Sequence, residues 1–178
     1  MPINTKEQIA EAAMTLLMDK NVKKLTVKNI VEECGITRQA FYYHFEDIPH
    51  LFRWIFEKSE EHILAQARES SDPEEELRRF FLMAIHTMLY VKKGLESNYG
   101  NELEALFSHY FCQLFEQLAE KKDMYKNCTR LEAGLILRYH SYAIIGLLQN
   151  WTDADTKNLE QIVHLVYLLI SEGISPSS

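Results

Sequence analysis

Two short amphipathic segments meet across a gap of two residues, Gly35 and Ile36, and that gap limits what the chain can fold into more than any other feature. Thr26 precedes a stripe of Val27, Ile30, Val31 and Cys34, as a helix N-cap does, and Gly35 follows where a left-handed residue costs little. Thr37 then caps a second segment. Helices joined so tightly cannot lie antiparallel; they cross steeply, so a helix-turn-helix is expected here. Upstream, Thr5 and Gln8 have capping-box spacing, and Ile9, Ala12, Ala13, Leu16 and Leu17 follow on one helical face.

Projecting the second segment at about 100° per residue from Arg38 divides it into two faces. Ala40, His44 and Phe41 fall at about 200° to 300°, toward the preceding helices, and Arg38, Tyr42, Gln39 and Tyr43 fall at about 0° to 140°, away from them. An outward tyrosine stabilises a small helix poorly, but its hydroxyl donates well to a phosphate oxygen, and Arg and Gln match base edges. The other reading packs the tyrosines on the start of the next helix. A net charge of −7 opposes a phosphate-bearing partner, which needs cations to displace its counterions. Locally the sign reverses: between Lys20 and His44, the cations Lys20, Lys23, Lys24, Lys28 and Arg38 face only Glu32 and Glu33, an excess of three positive charges.

The remainder reads as helix throughout. Six glycines and four prolines in 178 residues leave long uninterrupted stripes, and 47% apolar content suffices for a substantial core. A helix begins near Pro49 with Leu51, Phe52, Trp54, Ile55 and Phe56 around most of its circumference. Asp72 caps the stripe Leu77, Phe80, Phe81, Ala84, Ile85, Met88 and Leu89. A loop over residues 95–101 precedes the stripe from Leu103 to Leu118. Thr129 and Glu132 make another capping box, and a last helix is expected to start at Asp155 or Thr156. These two final helices are apolar nearly all round. A chain this small cannot enclose both, so a twofold partner surface is expected, formed by Leu131, Leu135, Tyr139, Tyr142, Gly146, Leu159, Ile162, Val163, Val166, Tyr167 and Ile170. The alternative is a purely internal core.

Several function classes find no support. Cys34, Cys112 and Cys128 are odd in number and far apart, which suits free thiols rather than a disulfide framework or a zinc site. The longest apolar run, Ala143 to Leu148, is far below the roughly 18 residues that span a bilayer, and the N-terminus has no leader pattern, so a cytoplasmic protein is expected. HExxH, GxSxG and glycine-rich phosphate loops are missing; no catalytic residue, metal ligand or cofactor is assigned, and an enzyme is not expected.

The first 50 or so residues resemble the TetR/AcrR family of transcriptional regulators, through Thr26-Val27, the turn Gly35-Ile36-Thr37-Arg38 and the run Phe41-Tyr42-Tyr43-His44-Phe45. The segment Gly146-Leu147-Leu148-x-x-Trp151 is similar more loosely, and Leu51 to Phe56 resembles a subgroup related to activators of dihydroxyacetone kinase operons. The resemblance implies an all-α fold of about nine helices, with a helix-turn-helix domain over residues 1–47. Residues 48–178 would then form a helical domain that binds an effector and dimerises through its last two helices. It implies that Thr26, Lys28, Thr37, Arg38, Gln39, Tyr42, Tyr43 and His44 meet double-stranded operator DNA, although for His44 the helical projection favours a structural role. It also leads to His86, Tyr90, Tyr110, Phe111, Phe115 and Tyr139 as candidates around an unidentified small molecule, each of which reads equally as core. The function implied is a homodimeric, ligand-responsive regulator on a palindromic operator, a repressor released by its effector. Two positions depart from the family pattern: Ala40 replaces a hydroxyl residue, and Ile48 stands where the fourth helix offers a lysine to phosphate. Both departures keep open an adaptor that works through a partner protein.

Overall fold

The computed structural model describes residues 4–18, 22, 24–66, 72–121 and 125–171. Among these, nine helices and no strand form, in the order α1 (Thr5–Met18), α2 (Val27–Cys34), α3 (Arg38–His44), α4 (Ile48–Gln66), α5 (Pro73–Leu95), α6 (Gly100–Lys121), α7 (Arg130–Gln149), α8 (Asp153–Lys157) and α9 (Leu159–Ser171). The all-α class expected from the stripes is therefore the class found. The chain divides into two compact units, Met1–Ser59 with Leu89–Tyr110, and Glu60–Met88 with Phe111–Ser178.

In the first unit, Ile9, Ala13, Leu17, Ile30, Phe41 and Phe45 form the centre of the core, as the helical faces require. The first three helices do not close this core alone. Ile48, Leu51 and Phe52 of α4 and Leu103 of α6 are buried in the same cluster. Leu103 comes so close to α5 that a Cβ on Gly94 would collide with its Cδ1, which explains a glycine inside a helix. Lys6 lies over the rings of Phe45 and Trp54, 5.4 and 5.9 Å from their centroids, and joins the start of α1 to the α3–α4 corner.

The caps are partly as expected. Thr129 and Glu132 form a full capping box on α7, and Asp72 Oδ1 accepts the N–H groups of Glu74 and Glu75 at the start of α5. At α1 the cap is Asn4, whose Oδ1 accepts the Lys6 N–H at 3.2 Å; Thr5 is already helical. Asp155 and Thr156 lie inside α8, held by a second capping box from Thr152, and α9 starts only at Leu159. The Trp151 indole N–H donates to the Thr156 hydroxyl at 3.0 Å across that short helix.

The second unit is filled by Phe80, Phe81, Phe111 and Phe115 together with Ile144, Leu148, Val163 and Ile170. Phe80 packs on Phe111 with centroids 5.0 Å apart, and Phe81 on Trp151 at 6.0 Å. α7 turns Leu137, Ser141, Ile144, Ile145 and Leu148 inward.

Candidate nucleic-acid interface and ligand cavity

The outward face of α3 is built by its own caps and by one buried ring. Gly35 takes φ 68°, ends α2 with its N–H on the Val31 carbonyl, and turns the chain into α3 within two residues. Thr37 Oγ1 accepts the Ala40 N–H at 3.1 Å. Phe41 is fully buried and fixes the rotation of the helix, so Arg38 and Gln39 stand exposed, with Tyr42 57% and Tyr43 84% accessible. Both tyrosines point away from the core, rather than packing on the next helix. Tyr42 meets only the edge of Phe41 at 5.5 Å, and Tyr43 that of His44 at 5.0 Å, among the ring contacts described. His44 is half-buried, on the inner side of the projection.

Beside this face, α2 offers Thr26 and Lys28. Thr26 Oγ1 accepts the Asn29 N–H at 3.2 Å and caps the helix, so its hydroxyl is already engaged. The Lys28 ammonium lies 3.7 Å from Glu32 in an exposed pair, which a phosphate can compete for at little cost. α2 is held in place by a contact the sequence does not reveal. The Leu25 N–H donates to Asn98 Oδ1 at 2.9 Å, and Asn98 Nδ2 donates back to the Leu25 carbonyl at 3.3 Å. Asn98 lies in the turn between α5 and α6, so residues 73 positions away set where α2 begins.

The start of α4 is not basic. Ile48 is buried in the core, and the exposed residues before it are Glu46 and Asp47. Asp47 Oδ1 accepts the His50 N–H at 2.7 Å, and His50 Nδ1 accepts the Glu46 N–H at 3.2 Å, which places the ring proton of neutral His50 on Nε2. Burial, then the nearby Asp47 and Glu102 carboxylates, push the Tyr99 phenol up. The field around this corner is thus negative.

In the second unit a cavity of about 420 Å³ opens among the ends of α4, α5, α6 and α9. Leu77, Phe80, Met83, Phe115, Leu118 and Ile170 give it apolar walls; Glu76, Arg79, Tyr125, Tyr167 and Ser171 are its polar or amphipathic members. Of the six residues expected around a ligand, Phe115 alone lines it. Phe111 is buried and packs on Phe80. Tyr110 belongs to the first unit, stacked on Phe56 at 5.7 Å with its hydroxyl donating to Glu57 at 3.0 Å, and the half-buried Tyr90 is in that unit too. His86 and Tyr139 are exposed. These five do not line this cavity.

The expected dimer residues separate by helix. On α7, Leu131, Leu135, Tyr139 and Tyr142 are exposed, with Leu147 beside them, and a Cβ on Gly134 or Gly146 would meet nothing. On α9 the burial runs the other way. Leu159, Val163, Val166 and Ile170 are buried in their own unit, Ile162 and Tyr167 are half-buried, and Leu165 and Leu169 are the exposed pair. Both stripes of α9 are apolar, and periodicity alone does not say which one turns inward.

Burial pushes the Cys34 and Cys112 thiols up, so both stay protonated and weakly nucleophilic. Burial pushes the His140 imidazole down. Among the described residues no group of three His, Cys, Asp or Glu side chains is placed to hold a metal, and no helix is long and apolar enough to cross a membrane.

Residues 9–54, which span α1 to the first turns of α4, match the family described as bacterial regulatory proteins, tetR family. The HTH-type dhaKLM operon transcriptional activator DhaS of Lactococcus lactis subsp. lactis (strain IL1403) is 25% identical over 152 residues, covering 82% of this chain and 78% of that protein. The HTH-type transcriptional regulator AcrR of Shigella flexneri is 31% identical over 88 residues, 47% of this chain and 41% of that protein. A solved structure of a dihydroxyacetone kinase operon activator DhaS superposes with a TM-score of 0.64 at 23% identity, covering 94% of each chain. Family and relatives are regulators of transcription rather than enzymes. The capped helix-turn-helix of α2 and α3 lies inside the matched segment, and residues 9–54 are a tetR-family regulatory domain.

Proposed function

We propose that the chain is a ligand-responsive repressor that binds a palindromic operator as a homodimer and is released when a small molecule enters the cavity of its second unit. The observation that carries the reading is the orientation of α3: Arg38, Gln39, Tyr42 and Tyr43 stand together in solvent while Phe41 anchors the opposite side. Arg38 and Gln39 have the donors to read base edges, and Tyr42, Thr37 and Tyr43 suit phosphates. Lys28 and Thr26 extend the contact from α2, and His44 supports the helix from behind. Two such faces must sit about 34–36 Å apart to enter successive major grooves. The exposed α7 stripe, with Leu165 and Leu169 of α9, is the surface through which a second copy would set that spacing. Ile63 lies on the cavity wall and on α4, whose first turns are in the core of the first unit, so an occupant has a continuous helix through which to act.

The test is a footprint and mobility-shift titration on the DNA upstream of the chain's own gene, repeated across salt concentrations. Lys28→Ala should weaken binding and reduce the salt slope by about one, and Tyr42→Phe should weaken it several-fold. If both leave affinity unchanged at fixed salt, the face is misassigned.

A second reading is favoured by one feature, the acidic start of α4. With Ile48 buried and Glu46 and Asp47 exposed, that corner repels a phosphate backbone. In this reading the outer face of α3 meets a partner protein and DNA binding is weak. A purified stable heteromer, with no protected DNA from the chain alone, selects it.

A further inference from the structure

Two phenols on the wall of the second unit's cavity indicate the hydrogen-bonding character of its occupant, an inference that rests on reading that cavity as a ligand site. Other polar groups of the wall are engaged within the protein. Arg79 Nε donates to Glu75 at 3.2 Å, and the Ser171 hydroxyl donates to the Tyr167 carbonyl at 2.8 Å. The phenols are not. The Tyr125 hydroxyl is buried and has no hydrogen-bond partner among the described residues, and the hydroxyl of the half-buried Tyr167 makes no hydrogen bond among them either.

A buried hydroxyl left unpaired costs a fold its desolvation with nothing in return, so few persist without a reason. Burial, then the nearby Cys128 thiol, push the Tyr125 phenol up, so it keeps its proton at neutral pH. A phenol donates better than it accepts, because its oxygen lone pair is drawn into the ring; what the wall offers an occupant is therefore donors. Around them the wall is apolar, with Phe80 and Phe115 at 6.5 Å from each other. A dry cavity of about 150 Å³ holds benzene, so one of about 420 Å³ has room for about seventeen non-hydrogen atoms.

We propose that the occupant is a largely apolar molecule of about that size bearing a carbonyl-type acceptor, to which the Tyr125 and Tyr167 hydroxyls donate. Tyr125 turns its hydroxyl to the acceptor on binding, and because that hydroxyl leaves no hydrogen bond behind, only packing resists the turn. A hydrocarbon of the same shape gains the apolar burial and leaves Tyr125 unpaired.

Three neutral probes of one shape test this: benzophenone, which accepts through its carbonyl, diphenylmethane, which does neither, and diphenylamine, whose N–H donates. Being neutral, they meet Glu76 and Arg79 without a charge of their own. Each is titrated against N-phenyl-1-naphthylamine fluorescence in the full-length protein. Benzophenone gives up hydrogen bonds to water on entry, so the quantity read is the change in its preference over diphenylmethane between proteins. Tyr125→Phe and Tyr167→Phe should each cut that preference by about three- to tenfold, while diphenylmethane and diphenylamine stay within about twofold. Thermal unfolding of the ligand-free protein should show Tyr125→Phe at least as stable as the parent, because the hydroxyl removed was unpaired. A preference for benzophenone that survives both substitutions overturns the proposal and leaves the cavity a ligand site. Diphenylamine losing as much as benzophenone overturns the acceptor assignment, and a lower Tm for ligand-free Tyr125→Phe overturns the role of that hydroxyl. If N-phenyl-1-naphthylamine and all three probes fail to bind, the cavity reading falls too.

Discussion

Replacing Asn98 by alanine removes the link that fixes the start of α2. The side chain makes two bonds to one residue, accepting from the Leu25 N–H at 2.9 Å and donating to its carbonyl at 3.3 Å. Leu25 is fully buried, so its backbone groups lose their partner where water does not readily replace it. An orphaned buried group costs about 1–3 kcal/mol; the longer bond contributes at the low end, and we take about 2 kcal/mol for the pair. In a chain of 178 residues that lowers Tm by about 4–8 °C. The assay is urea unfolding followed by Trp54, which packs on Phe45 in the first unit, in a Trp151→Phe background so that the second unit is silent. Thr26 and Lys28 follow Leu25 directly, so operator affinity should fall alongside stability even though Asn98 is not on the α3 face. A Trp54 transition within about 0.5 kcal/mol of the parent refutes the clamp.

Other perturbations test separate parts of the structure. Gly35→Ala should cost about 1–2 kcal/mol, because φ is 68° while the new Cβ meets no atom; Gly35→Asn should recover part of that loss, read by thermal unfolding. Glu32→Ala frees Lys28 and removes an anion beside the proposed DNA face, so operator affinity should rise several-fold in a mobility shift, most at low salt. Leu135→Lys places a charge in the middle of the exposed α7 stripe, next to Leu131 at 83% and in place of a side chain at 57% accessibility; sedimentation should report self-association weakened at least about tenfold, and a parent protein that is already monomeric refutes the face. The Glu132 carboxylate accepts bonds from the Thr129 backbone N–H and then its hydroxyl, which hold it below the usual carboxylate range. Its folded value lies below its unfolded one, so its contribution is complete above the ordinary carboxylate range and is lost as pH falls through the depressed value. Glu132→Gln should therefore flatten the acid limb of the stability profile measured by thermal unfolding.

What was legible in the sequence follows from how local the determining interactions are. Thr26, Gly35 and Thr37 act within four residues of themselves, so the two-residue turn and the rotation of α3 could be read before any coordinate was known. The two stripes of α7 separate for a related reason: the inner one carries the branched Ile144 and Ile145 and the outer one Tyr139 and Tyr142, which tolerate water at their hydroxyls, although Ser141, expected to allow a close approach between copies, is buried on the inner side. α9 gives no such contrast. Leu165 and Leu169 are as apolar as Val163 and Val166, and only the neighbouring helices decide which pair is covered.

The cavity was illegible for a deeper reason than apolar ambiguity. Its wall takes Ile63 from α4, one face of α5 from Pro73 to Met83, Phe115 from α6, Tyr125 from a loop and Tyr167 from α9, so it exists only where these separate parts of the chain converge. Each residue taken alone reads as ordinary core or ordinary surface, and His86 and Tyr90, farther along α5, are not on this wall. The signal that was present is a mismatch rather than a motif. Three consecutive glutamates open α5, where the helix dipole already favours negative charge, and a single first turn has little use for three on surface grounds alone. Glu74 pairs with His164, Glu75 pairs with Arg79 of the cavity wall, and Glu76 lies on that wall itself. Reading such a surplus as a site requires knowing what stands opposite it. Tyr125, forty-nine positions from Glu76, lines the same cavity, and no local pattern in the sequence joins the two.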